Sequence, residues 1–427
     1  MIGFKHSIRA LNNRNYRLLF TGESVSLIGT WMTHIATGWL VYRMTNSIWL
    51  LGLVGFLNQL PVFLVASIGG VLADRWDRRR TLLVTQALAM IHAFLMAGLA
   101  LTGVITIGQI LVLSVFQGLA KALDMPVRQS FLPEIIANRE DLPNAIGLNS
   151  TTINTARLVG PSIAGILIAV AGEGICFLLD GISYIAAIVT LLAIKVNPTE
   201  SKRERHHILR ELKEGLIYTF GFVPIRSILL LLALVSLVGV PYTVLMPVFA
   251  REILHGGPNT LGFLMGAAGV GALSAALYLV SRRTAHGLEK TIMLAATMLG
   301  IGLVALSFSR VLWVSLVFML LAGFGTIAQA VSSNMVIQML VDDDKRGRVM
   351  SFHTMAFMGM TPFGSLLAGG LASKLGVPGT LCIGGVCCIL GALLFGSRLT
   401  SLRQMIYPIY AKKGMVPDVG SGVETIT

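Results

Sequence analysis

The chain has 427 residues, of which 55% are hydrophobic and only 12% charged. A soluble domain carries about a quarter charged residues, so the polar surface needed to coat a globule of this length is missing. The 33 Lys and Arg against 20 Asp and Glu leave a net charge of +13; in a soluble protein that points to nucleic acid, but in a membrane chain it follows from basic residues collecting in cytoplasmic loops, with no nucleic-acid partner.

Apolar runs of about 20 residues recur from end to end, each long enough to cross a bilayer as a helix. They predict an all-α membrane protein with twelve spans, near 17–42, 48–73, 81–102, 105–131, 144–171, 174–195, 226–249, 259–281, 290–308, 311–336, 348–372 and 378–398. An even count puts both termini on one side. The N-terminus, 74–80, 196–225, 282–290, 341–348 and the C-tail hold most basic residues, while the opposite loops hold only Arg43, Arg251, Arg310 and Lys374. Both termini are therefore expected in the cytoplasm.

Span 1 carries Glu23, Ser26, Thr30, His34 and Thr37 at spacings that place them on one helical stripe facing a central cavity. Ionisable groups inside a membrane are functional candidates, because an unpaired charge there costs several kcal/mol. Glu23 and His34 can each change charge with environment, so each is either a proton carrier or part of a water-lined wall. Between spans 2 and 3 the stretch "GGVLADRWDRRR" sets a dense group of charges between two oily segments. Span 3 holds a lone His92, expected to face a neighbouring helix.

Span 4 carries Gln117, Lys121, Asp124 and Arg128, again on one stripe. Alternating charges at this spacing can neutralise one another. The stripe is either a fixed brace or a network in which Asp124 exchanges partners. Span 5 reads "ARLVGPSIAG", with Arg157 as a further buried cation and Asp124 as its partner. A Pro inside a helix removes a backbone bond and kinks it. Asp180 in span 6 is a lone acid with a cavity role or a hydrogen-bonded structural one. The cavity candidates are thus Ser26, Thr30, Thr37, Gln117, Lys121, Arg157 and Asp180.

The linker "NPTESKRERHHILRELKEGLIYTF" is the only long polar insertion. It divides the chain into a six-helix bundle over 1–195, a linker over 196–225, a second bundle over 226–398 and a cytoplasmic tail over 399–427. Within it Ile208, Leu209, Leu212, Leu216 and Phe220 recur at helical spacing, as in a surface-lying amphipathic helix. The basic cluster 202–210 is either solvated or in contact with lipid phosphates. The halves repeat weakly: an acidic loop precedes a helix with a mid-span Pro, Pro161 in one and Pro362 in the other. Two repeated bundles with a site between them are the layout of a secondary transporter. Cys176, Cys382, Cys387 and Cys388 sit in apolar runs without metal-binding spacing, so packing is their expected role.

In "GGVLADRWDRRR", Gly70, Leu72, Asp74, Arg75, Arg78 and Arg79 resemble the loop between spans 2 and 3 of the major facilitator superfamily. Asp77 stands where that pattern has Gly, and Asp takes up left-handed geometry less freely. "GLAKALDMPVRQSFLPEIIANREDLPNAIGLNS", "RLLFTGESVSLIGTWM" and "RGRVMSF" resemble the branch that includes enterobactin and macrolide-type exporters. The resemblance implies two bundles that rock about a central site. It implies a cytoplasmic latch of Gly70, Asp74, Arg75, Arg78, Arg79, Arg128 and Glu134. In it Asp74 meets the N-terminus of span 11, where the helix dipole favours an anion, and the arginines meet acids such as Glu134, Asp342 and Asp343. The same loop also reads as a basic segment that merely holds orientation. Gly160, Pro161 and Gly165 resemble the span 5 signature of antiporters, though packing alone also accounts for them. The span 4 arginine of many family drug pumps is Leu113 here, so its relay role does not transfer.

These observations lead to the expectation of a monomeric exporter in a bacterial inner membrane. It would exchange a drug-like or siderophore-like small molecule for protons, in contact with lipid, without cofactor or metal. Proton carriers would be Glu23, Asp124 or His34. An importer or a lysolipid flippase on the same fold, or a non-transporting scaffold, is the alternative. No metal triad, nucleophile elbow, phosphate loop or catalytic carboxylate pair supports an enzyme.

Overall fold

A computed structural model of the chain describes residues 9–75, 77–136, 139–194, 217–282, 287–342 and 345–412, with side chains undescribed at 65–75, 139 and 411–412. The described residues contain helices and no strands. After a short 3₁₀ turn at Arg9–Asn12 come α1 (Arg14–Thr45), α2 (Ile48–Arg75), α3 (Arg78–Leu101), α4 (Ile107–Ile135), α5 (Leu142–Ala171) and α6 (Glu173–Ala193). Then follow α7 (Val223–Ile253), α8 (Pro258–Ser281), α9 (Leu288–Phe308), α10 (Leu312–Leu340), α11 (Arg346–Ser397) and α12 (Leu399–Lys412). Nine of these, α3 to α11, are long and apolar enough to cross a membrane. α2 is apolar over Ile48–Leu64. α1 has the length, at 32 residues, but carries the polar stripe and four charged side chains. Large apolar groups such as Val170, Phe308, Trp313 and Leu394 point outward, as the lipid-facing side of a bundle requires.

Local chemistry sets the helix ends. The Asn13 side chain accepts from the N–H groups of Asn15 and Tyr16 at 3.0 and 3.2 Å, capping α1. Thr106 and Gln109 form a reciprocal capping box at the start of α4. Asp77 caps α3 by accepting from the Arg80 N–H at 2.8 Å, with φ −61°. The substitution of Asp for the family Gly thus needs no left-handed turn: an N-cap stands there instead. Gly376, at φ 75° and ψ 166°, breaks α11 into two arms. α7 contains wider π turns at Val235–Gly239 and Phe249–Ile253, and α11 contains one at Met355–Gly359.

α1 packs on α5 and α6, α2 on α4, and α3 on α4 and α6; later in the chain α10 packs on α8 and α9, and α9 on α11. Two seams join these groups, α5 on α8 and α2 on α11. Each seam rests on a pair of glycines. A Cβ on Gly165 would sit 2.9 Å from the Gly262 Cα, and one on Gly52 would sit 2.9 Å from the Gly369 Cα. Small residues allow such approach where no hydrophobic effect drives helices together. The phenyl ring of Phe363 meets Phe63 edge-on at 5.5 Å, extending the second seam.

Of the expected linker helix, Ile208, Leu209, Leu212 and Leu216 lie outside the described residues; Phe220, at its end, stacks edge-on against Phe352. The tail is not featureless. α12 buries Leu402, Ile406 and Tyr410, spaced four apart on one face, against α7, α9, α10 and α11. All four cysteines are free, and Cys176 and Cys388 are buried.

The glycine seam makes a stability prediction. Gly165→Ala should lower the thermal unfolding midpoint of detergent-solubilised protein, by an overpacking penalty of about 1–3 kcal/mol. Gly147→Ala, whose Cβ meets nothing within 4 Å, should leave the midpoint level or raise it, because Ala is the better helix former. Equal midpoints for the two variants would contradict the seam.

Candidate functional site

A cleft with about 920 Å³ of empty space, open solvent included, lies between α1, α2, α3 and α4 on one side and α7, α8 and α11 on the other. Thr30, His34 and Thr37 of the α1 stripe line it, as do Gln117 and Lys121 of α4. Ser26 is buried and lines no part of it. The far wall adds the hydroxyls of Thr243, Thr361 and Ser365. His34 is exposed into this space, whereas His92 is buried, lines it and has no hydrogen-bond partner at Nδ1. The pair Asn58–Gln59 also lines it. Asn58 donates to Gln117 Oε1 at 2.7 Å and accepts from Lys121 Nζ at 3.3 Å. That contribution was missed in the sequence, although two adjacent amides just before Pro61 interrupt an apolar run and were the available signal.

Glu23 and Asp124 lie apart from the cavity wall. The Arg128 guanidinium sits between them, with Nη1 3.1 Å from Glu23 Oε1 and Nη2 2.7 Å from Asp124 Oδ2. Asp124 Oδ1 accepts further bonds from Thr85 at 2.7 Å and Gln86 at 2.8 Å on α3. One cation thus holds two acids from two helices, and α3 supplies the remaining donors. Glu23 and Arg128 also line a small pocket with Gln86. The acid's ion-pair partner is therefore Arg128 and not Arg157. Arg157 instead lies over the Trp31 ring, 5.1 Å from its centroid, and its Nε has no hydrogen-bond partner.

Asp180 is fully buried on α6 and accepts from the Thr33 hydroxyl at 2.6 Å. Ser183 adds a long contact at 3.5 Å. Above it Thr30 and Tyr184 share a hydrogen bond at 3.0 Å. Thr33, at helical spacing from Thr30 and Thr37 but not singled out from the sequence, therefore ties α1 to α6. Gly160 faces Trp31 and the Ile28 carbonyl, Pro161 follows it in α5, and Gly165 forms the seam with α8.

Gly70, Asp74 and Arg75 lie among the residues with undescribed side chains, and Asp343 is also outside the described residues. Arg78 donates to Glu134 at 3.2 Å, joining α3 to α4. Arg79 donates to the carbonyls of Leu191 and Leu192 at 3.0 and 2.7 Å, satisfying the free acceptors at the end of α6 where a cation is favoured. Asp342 accepts from the Tyr218 hydroxyl at 3.4 Å. At the opposite ends of the helices, Tyr42 donates to Glu252 at 3.1 Å under the Arg251 guanidinium. Arg43 makes a two-pronged contact with Glu173 at 2.8 and 3.1 Å. Beside α1, Arg9 donates to Asp141, and that bond together with the acid's charge raises the already high pKa of the guanidinium.

The geometry is that of a chamber with polar side chains inside an apolar helical bundle, and solved structures share the fold. The solved structure of a POT family transporter in complex with 5-aminolevulinic acid superposes at a TM-score of 0.71 with 11% identity, covering 91% of this chain and 97% of that one. The POT family transporter PepTSo gives 0.69 at 14% identity, covering 92% and 99%. At that identity they speak for the fold. In sequence, the chain is 26% identical to the staphyloferrin A transporter of Staphylococcus aureus over 91% of this chain and 97% of that protein. It is 28% identical to the multidrug efflux pump Tap of Mycobacterium tuberculosis over 91% and 94%. It is 25% identical to the enterobactin exporter EntS of Escherichia coli over 84% and 86%. The family model described as transmembrane secretion effector matches residues 6–406, and the chain belongs to that family of major facilitator transporters.

Proposed function

We propose that this transporter exports a small organic molecule in exchange for protons by alternating access. The observation that carries the reading is the cavity, a polar space bounded by α1 to α4 from before the linker and by α7, α8 and α11 from after it. A site at the meeting of two repeated bundles is where a rocking carrier binds its cargo. The glycine seams α5–α8 and α2–α11 support the same division into bundles over 1–195 and 226–398, twelve spans in all, because each offers a tight but purely van der Waals surface on which two bodies can tilt. The relatives, a multidrug efflux pump, an enterobactin exporter and a staphyloferrin A transporter, favour export of a drug-like or siderophore-like cargo. In a bacterial inner membrane the basic loops would lie in the cytoplasm with both termini, Asp74 would latch that side, and the monomer would suffice.

Coupling is assigned to the triad of Glu23, Arg128 and Asp124. A carrier acid needs a water-facing state that favours its anion and a closed state that favours its neutral form. Two acids sharing one guanidinium satisfy that need if one is released whenever the bundles tilt. A static brace is the competing role, and the two differ in what neutralisation does.

In proteoliposomes under an imposed pH gradient, Glu23→Gln or Asp124→Asn should abolish uphill export while substrate counterflow remains measurable. Uphill export with proton movement in both variants would remove these acids as carriers and leave His34 as the next candidate. Arg128→Gln should behave differently, since it strands two acids in the bundle. Breaking a buried ion pair from one side costs about 3–5 kcal/mol, so a lowered yield and unfolding midpoint are expected, partly restored when Glu23→Gln and Asp124→Asn are added. Reporter fusions at residue 200 and at Thr427 should both read as cytoplasmic; a periplasmic signal at either would break the twelve-span layout.

A further inference from the structure

Resting on the transporter reading, we infer that the cavity is a carboxylate site, built to hold the acid group of an organic anion between Lys121 of α4, His92 of α3 and His34 of α1. The titratable side chains among the described lining residues are Lys121, His34 and His92, all bases, with no Asp or Glu beside them. The described acids of the neighbouring helices are engaged elsewhere. Glu23 and Asp124 hold Arg128, Glu134 holds Arg78, Glu173 holds Arg43, and Glu252 accepts from Tyr42. Asp180, whose charge reaches Lys121 through space, is buried behind Thr33 and forms no ion pair with it. An ammonium carries three donors, yet the described hydrogen bond of Lys121 is the single 3.3 Å contact to Asn58.

The second observation is His92. Its side chain is only 3% exposed, it lines the cavity, and its Nδ1 has no partner. A buried ring nitrogen without a partner is unfavourable, and an acid oxygen accepting from it removes the deficit. Asn58 fixes the geometry: its amide N–H is committed to Gln117, so its carbonyl oxygen must face Lys121 and hold the ammonium in the cavity. The opposite wall offers only the neutral hydroxyls of Thr243, Thr361 and Ser365 among apolar groups such as Val244 and Leu261. The cavity is thus polarised. The anionic end of the cargo lies toward α3 and α4, and its neutral or hydroxylated body lies toward α7 and α11. A cationic cargo would meet three bases and no acid.

The test uses purified full-length protein in nanodiscs and three probes of one shape: 2-naphthoate, 2-naphthylmethylammonium and 2-naphthylmethanol. Equilibrium dialysis should show saturable 2-naphthoate binding at least about tenfold tighter than that of the ammonium probe, the ratio expected for one charged hydrogen bond. Lys121→Gln should remove most of that preference while changing 2-naphthylmethanol binding by less than about twofold, and Lys121→Arg should retain it. The comparison of probes on the unaltered protein stands even where a variant fails to fold. Absence of saturable 2-naphthoate binding, an equal or tighter ammonium probe, or an unchanged preference in folded Lys121→Gln overturns the carboxylate site. Because proton-driven export is read separately in proteoliposomes, a protein that exports but prefers the cation defeats this inference alone.

Discussion

A charge placed in a membrane-spanning helix must find its counter-charge inside the protein, since lipid offers none. That constraint organises the first half of the chain. Arg128 cannot turn outward, so α4 must lie where α1 can bring Glu23 to it and where α3 can bring Thr85 and Gln86 to the far side of Asp124. Three helices are thereby fixed in rotation about their own axes. Their polar stripes then face inward together, and the cavity is the space left between them. Asp180 does the same for α6 through Thr33. Replacing such groups with apolar ones of equal size is often neutral or stabilising, so packing alone does not require this many.

The architecture was legible because its signals are periodic. Spacings of three and four placed Thr30, His34 and Thr37 on one face of α1, and Gln117 and Lys121 on one face of α4, and these five line the cavity. Spacing says which residues share a face; it does not say which face meets which. Hence Asp124 and Arg157, both legible as buried charges, were joined in the sequence but are separate in space. Arg128, one turn along α4 from Asp124, is the nearer partner, and Arg157 is drawn onto Trp31. Likewise Glu23 looked like a cavity residue because it shares the α1 stripe, yet its position one turn beyond Ser26 carries it past the cavity to Arg128. The α12 helix escaped notice for another reason. Leu402, Ile406 and Tyr410 show the right spacing, but the surrounding Arg, Gln and Lys residues gave the segment the look of a solvated tail.

The two glycine seams impose a second constraint, on motion. At Gly165–Gly262 and Gly52–Gly369 backbones approach so closely that no side chain separates them. Contacts of this kind hold by shape, with few directional bonds to break, so a small tilt changes their energy gradually. The ends of the helices are different. Tyr42, Glu252 and Arg251 form a directional cluster between α1 and α7, and such bonds are either made or lost. A seam that holds by shape, flanked by discrete bonds, would suit the proposed rocking of two bundles. The π turns of α7 and α11 fall beside these places, where wider helical turns free backbone groups and ease bending.

The charge distribution adds a direction to that mechanics. The cavity's ionisable groups come from α1, α3 and α4, whereas α7, α8 and α11 contribute hydroxyls and apolar surface. In a carrier whose bundles tilt about a fixed site, the cargo's strong contacts would therefore stay with one bundle throughout the cycle, while the other closes over its weaker side. The same bundle contains the triad of Glu23, Arg128 and Asp124, linked to α3 through Gln86 and Thr85, and His92 lies farther along α3. A shift of α3 that changes the hydrogen bonds of Asp124 also moves His92 against the cargo. Binding and protonation would then be coupled within one bundle, with no signal needed across the seams.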